Sequence, residues 1–127
     1  MPEVTKNELL LKRLAAWGCD IEGALPRFVG NTDFYCRLLE QVPLEESFEE
    51  LGRALAQEEV KTAFEHAHSL KGVLANMGIT PMYQEACDIV EPLRSGTVNG
   101  TAEHYEKLMQ QREKLKELLR ADEKGIH

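Results

Sequence analysis

Residues 60–77 read VKTAFEHAHSLKGVLANM. Val60, Ala63, Phe64, Ala67, Leu70, Leu74 and Met77 recur there at steps of three and four, the period of a helix with one apolar stripe. Gly78 follows, and glycine suits the left-handed residue that ends a helix because it has no side chain beyond Cα. Thr80-Pro81 then reads as the N-cap and first residue of a second helix. Two long helices with almost no chain between them must pack side by side and antiparallel, which points to a helical bundle.

The same pattern continues in both directions. After Pro81 the next helix is predicted to bury Met82, Ala86, Ile89, Val90 and Leu93. Residues 95–100 form a loop, and a last helix over about 101–120 is predicted to bury Ala102, Tyr105, Leu108, Met109, Leu115 and Leu118 or Leu119. Upstream, a helix from about Leu44 to Ala56 buries Phe48, Leu51 and Leu55. Another, from about Thr32 to Val42, buries Phe34, Leu38 and either Tyr35 or Leu39, until Pro43 stops it. Asp20 caps a short helix with Ile21, Ala24, Leu25 and Phe28 inward, interrupted by Pro26. Thr5-Lys6-Asn7-Glu8 fits a capping box, with Leu10, Leu11, Leu14 and Trp17 behind it and Gly18 as the stop. Period-two alternation is essentially absent. The predicted fold is all-α: an up-and-down antiparallel four-helix bundle with additional short N-terminal helices over one end. It reads as a single domain over residues 1–127, with a core of about 20–120 and an N-terminal helix within 1–18.

Composition narrows the function classes. The chain has 127 residues, 43% apolar and 29% charged, which is enough to bury one core. No apolar run is long enough to span a bilayer, and Glu3, Lys6, Asn7 and Glu8 interrupt any signal-peptide pattern, so the expected location is cytoplasmic. The net charge of −7 gives no electrostatic reason to hold nucleic acid or an anionic membrane. Cys19, Cys36 and Cys87 are scattered without a CxxC pair, so they read as small core residues rather than a zinc or disulfide framework.

Packing leaves one segment unexplained. With about 100° per residue, His68 falls on the flank of the apolar stripe and shares a face with Lys71 and Gly72, with Ala75 two turns along. A mid-helix glycine costs about 1 kcal/mol relative to alanine, and nothing local offsets it at Gly72. A steric reading accounts for it: Gly72 and Ala75 remove bulk so that a partner can approach the His68 imidazole, while Lys71 supplies a mobile cation. A phosphoryl group on that ring would bring about two negative charges for the ammonium to offset. An imidazole with an ordinary pKa of about 6.5 is largely the neutral nucleophile at pH 7.

His68-Ser69-Leu70-Lys71-Gly72, with Gly78 six residues beyond Gly72, Ala67 before and Asn76-Met77-Gly78 closing, resembles the histidine-containing phosphotransfer (HPt) family. The resemblance covers about Asp20 to Arg120. It implies a phosphocarrier in a two-component phosphorelay, with His68 as phosphoacceptor, Lys71 assisting electrostatically, Gly72 leaving room for the partner and Gly78 as a structural cap. The implied partners are response-regulator receiver domains or a hybrid sensor histidine kinase. The Mg²⁺ for transfer belongs to the receiver, and this chain needs no cofactor. It departs from the family in having Val73 and Leu74 where small residues usually follow the motif glycine. Leu74 belongs to the core stripe, whereas Val73 alters which partners fit.

The other candidates read as structural. His66 lies about 200° around the helix from His68, too far for a chelating pair, since helical metal pairs need spacing of three or four. His104 and His127 read as surface or terminal, and no metal site is expected. Glu65 and Lys61 read as solvated, and Glu45, Glu46, Glu49, Glu50, Glu58 and Glu59 as acidic surface. No Gly-rich phosphate loop accompanies the motif, so the chain is not a kinase, and any phosphoryl group comes from elsewhere. The competing readings are a non-catalytic adaptor that docks a receiver or another signalling partner, and a metal-binding bundle, which needs inward His and Glu at spacing three. No feature demands a dimer, and a monomer leaves His68 accessible.

Overall fold

The computed structural model describes the backbone of residues 5–123 and the side chains through Arg120, so Glu3 and His127 lie outside the described residues. The helices are α1 (Lys6–Trp17), α2 (Ile21–Ala24), α3 (Thr32–Gln41), α4 (Ser47–Ala56), α5 (Val60–Met77), α6 (Thr80–Arg94) and α7 (Thr101–Glu123), with 3-10 turns at Leu25–Phe28 and Val42–Leu44. No strand occurs among the described residues. The four-helix bundle is α4 to α7: α5 packs between α4 and α6, and α7 closes against α6 and α4. The all-α bundle read from the periodicity is the observed fold.

The core follows the stripes. Ala63, Ala67, Leu70, Leu74 and Met77 of α5 are buried against Met82, Ala86, Ile89, Val90 and Leu93 of α6, with Phe48 and Leu51 from α4 and Leu108 and Leu115 from α7. Tyr35 and Leu39 of α3 are both fully buried, whereas Phe34 is 41% exposed. The α3 stripe is thus turned by one residue from the predicted one, because the Tyr35 hydroxyl donates to Met77 O at 2.6 Å and draws that side chain inward. Ala102 is exposed rather than buried, since Thr101 takes the inward position at the start of α7 and donates from Oγ1 to Val98 O.

The end of the bundle that holds the C-terminus of α5 is tightly tied. Gly78 has φ 73°, and its N–H and that of Ile79 close α5 onto Ala75 O and Leu74 O. A Cβ on Gly78 would meet Asp20 O at 2.5 Å and the Ala24 Cβ at 2.9 Å, so this glycine also admits the α2 segment against α5. Asp20 N donates to Gly78 O, and the Asp20 carboxylate caps α2 at Gly23 N. Thr80 is not the N-cap read from the sequence. Ile79 holds that position without a side-chain bond, and the Thr80 hydroxyl turns back to Gly78 O at 3.5 Å. Pro92 lies inside the last turn of α6.

Candidate functional site

Helix α5 presents one face to solvent along its middle. His68, Gly72 and Ala75 are exposed on it and Lys71 is partly exposed, so the four residues singled out in the sequence do share a face. Among the described residues, no hydrogen bond holds either ring nitrogen of His68, and Lys71 makes no ion pair. Both groups are therefore available to a partner.

Gly52 and Gly72, each inside a helix, show what the open face means. A Cβ on Gly52 in α4 would run into the ring of Tyr105, whose hydroxyl donates to Phe48 O at 2.8 Å. That glycine is required by the chain's own packing. A Cβ on Gly72 would meet nothing within 4 Å. Its helix penalty, about 1 kcal/mol, is offset by no internal contact.

Two residues complete the site that the sequence reading did not include. The Phe64 ring stacks on the His68 imidazole, with centroids 5.6 Å apart and planes 13° apart. The Arg94 guanidinium of α6 lies over the same Phe64 ring, 5.5 Å from its centroid. Phe64 had been assigned wholly to the core stripe. It is half-buried, and its spacing of four from His68 is the helical neighbour signal that could have identified it. Arg94 has no such local signal, because α6 brings it back from a distant point in the chain. Arg27 joins the far end of the face: its Nη1 donates to Asn76 O at 2.9 Å and, at 3.2 Å, to Ala75 O, which already accepts from the Gly78 N–H.

The remaining sequence candidates take other places. His66 is half-buried on the α4 side, where its Nδ1 lies 3.1 Å from Ser47 Oγ and links α4 to α5. Glu65 and Lys61 are exposed. Val73 is half-buried against the core, and Leu74 is fully buried. His104 is not a free surface side chain: it is part-buried, and its Nδ1 lies 2.7 Å from Glu85 Oε1. Cys19 and Cys36 are buried and Cys87 half-buried, all as free thiols. No described helix is long and apolar enough to cross a membrane.

The fold is an α-helical bundle that presents an exposed, unbonded histidine beside a lysine and a mid-helix glycine. A family model for the Hpt domain matches residues 37–122, about two-thirds of the chain, and the chain belongs to that family, the phosphotransfer modules of two-component signalling. Neither the curated proteins nor the solved structures contain a match to it.

Proposed function

We propose that this Hpt domain is a phosphocarrier of a multistep phosphorelay. It takes a phosphoryl group onto His68 from the aspartyl phosphate of a receiver domain and passes it to another receiver aspartate. The observation that carries this reading is Gly72, an exposed mid-helix glycine with open space where its Cβ would be, one turn from an exposed imidazole with no hydrogen-bond partner.

The chemistry follows from the groups on the face. An unprotonated ring nitrogen of neutral His68 attacks phosphorus. The N–P bond forms as the P–O bond to the aspartate breaks, and the carboxylate leaves with the electron pair. Lys71 offsets part of the roughly two negative charges that arrive on the imidazole. Phe64 holds the plane of the ring, and Arg94 adds a second cation on the same flank. The receiver supplies Mg²⁺, and His68 returns to its starting state when a second receiver takes the phosphoryl group. The transfer step then needs no cofactor held by this chain at His68, and the chain works as a monomer in the cytoplasm, drawing its phosphoryl group from partners rather than from ATP.

Receivers charged with a small phosphodonor and Mg²⁺, then mixed with this protein, test the proposal. Acid-labile, base-stable phosphate is expected on the native chain and absent from His68→Gln, read by intact mass. If charged receivers label neither protein, or label both equally, the carrier reading fails; if folded His68→Gln still binds receivers and supports the output, the domain is an adaptor.

A further inference from the structure

Three side chains away from the His68 face converge between α6 and α7. Glu85 and Asp88 are three residues apart and so project from one side of α6. His104, in the first turn of α7, faces both. Its Nδ1 lies 2.7 Å from Glu85 Oε1 and 3.7 Å from Asp88 Oδ2, and the three ligand-type atoms fall within 4.8 Å of one another. The Glu85 side chain is only 17% exposed, His104 is 31% exposed, and Asp88, at 56%, opens the cluster to solvent.

One imidazole serves this arrangement poorly. A neutral Nδ1–H can donate to a single acceptor, and the 2.7 Å contact assigns it to Glu85. Asp88, at 3.7 Å, is beyond hydrogen-bond range and stands beside a second carboxylate that repels it. An ion between the three would satisfy all of them at once. Ligand atoms about 2.0–2.2 Å from a tetrahedral metal lie roughly 3.4 Å apart. The His104–Glu85 pair, at 2.7 Å, would open by under an ångström to admit the ion, and Asp88, the most exposed of the three, would swing onto it.

We propose that Glu85, Asp88 and His104 bind a first-row divalent transition metal of the Zn²⁺ type and clasp α6 to α7. An imidazole nitrogen with two carboxylate oxygens suits Zn²⁺, Co²⁺ or Mn²⁺, whereas Ca²⁺ takes six to eight oxygens and Mg²⁺ keeps most of its waters. Three protein ligands leave a coordination position for water. The site is separate from the phosphoacceptor. Arg94, which reaches Phe64 of α5, is nine residues from Glu85 and so about 180° around α6 from it. The proposal departs from the expectation read in the sequence, which was of no metal site. His104 was read as surface, and the i, i+3 carboxylates on α6 gave no hint of the imidazole that α7 brings to them.

The test uses the untagged 127-residue chain stripped with chelator. Zn²⁺ is titrated by calorimetry, and Co²⁺ by its visible absorption, which reports nitrogen and oxygen ligation directly. One site per chain is expected, and a metal concentration about a hundredfold above Kd should raise Tm by roughly 5–10 °C. Asp88→Asn, at an exposed position that leaves the fold intact, should weaken binding at least about tenfold, and His104→Ala should abolish the Co²⁺ spectrum. His68→Gln and His127→Ala should bind as the native chain does. Absence of binding below about 1 mM metal, binding unchanged in Asp88→Asn and His104→Ala, or loss of binding in His68→Gln would each overturn the site. None of these readouts depends on phosphoryl transfer.

Discussion

At the scale of the residue, Gly52 and Gly72 make opposite predictions. Gly72→Ala adds a methyl group in open space and removes a helix penalty, so it should raise stability by about 0.5–1 kcal/mol in urea unfolding. The same methyl group stands one turn from the His68 ring, on the side where the proposed receiver would dock, so phosphoryl transfer into Gly72→Ala should slow. Gly52→Ala should do the reverse. It forces Tyr105 aside and endangers the 2.8 Å bond to Phe48 O, which should cost about 1–3 kcal/mol while leaving the acceptor face intact. A stabilised Gly72→Ala that transfers as fast as the native chain would remove the steric argument for the site.

At the scale of the element, α5 is a core helix that also carries the proposed acceptor face, and Phe64 belongs to both. Arg94 over Phe64, and Phe64 against His68, form a stack that spans α6 and α5. The Arg94–Glu91 pair, at 3.4 Å and with both side chains more than half exposed, contributes little, so the guanidinium is free to respond to charge on the ring. Phe64→Leu should therefore slow transfer by roughly two- to fivefold, the kinetic equivalent of about 0.5–1 kcal/mol of lost ring positioning. Phe64→Tyr should restore the rate. A Phe64→Leu chain with lower Tm but an unchanged transfer rate would make Phe64 a packing residue only. Elements were legible where periodicity decides them: the buried set of α6 and most of the α5 stripe came from spacing alone. The α3 face was read only in part: Tyr35 and Leu39, offered as alternatives, are both buried, while Phe34 is exposed, because Met77 O, a partner far along the chain, draws Tyr35 inward. Arg112 escaped for the same reason. A cation in the α7 pattern reads as surface, yet it is 9% exposed, donates to Pro43 O at 2.9 Å and to Glu49, and lies over the Phe48 ring. In the candidate site, His68, Lys71, Gly72 and Ala75 were legible because they lie on one helix. Arg94 was not, because only the packing of α6 brings it in, and the His104 cluster was not, because only the packing of α7 on α6 assembles it.

At the scale of the whole molecule, the end of the bundle that fixes the C-terminus of α5 should be its alkaline weak point. Cys19 lies between α1 and α2, and burial pushes its thiol from the ordinary 9.0 to about 12. Tyr35, fully buried with its hydroxyl on Met77 O, is pushed up from 10.0, again chiefly by burial. In both, the folded chain holds a proton that the unfolded chain releases first. The unfolded state binds fewer protons as pH rises, so stability falls with pH. The contributions are present in full below about pH 9, and Cys19 begins to withdraw its share above that, followed by Tyr35 above 10. Each group should take roughly 1.4 kcal/mol per pH unit across its own window. Urea midpoints measured from pH 7 upward should be level to about 9 and then drop steeply. Cys19→Ala should postpone the onset by about one unit, because Tyr35 then titrates first. Tyr35→Phe should lower stability at neutral pH by about 1 kcal/mol, through the lost bond to Met77 O, yet flatten the fall above 10. An unchanged alkaline slope in both variants would place the sensitivity elsewhere and detach it from the helix that carries His68.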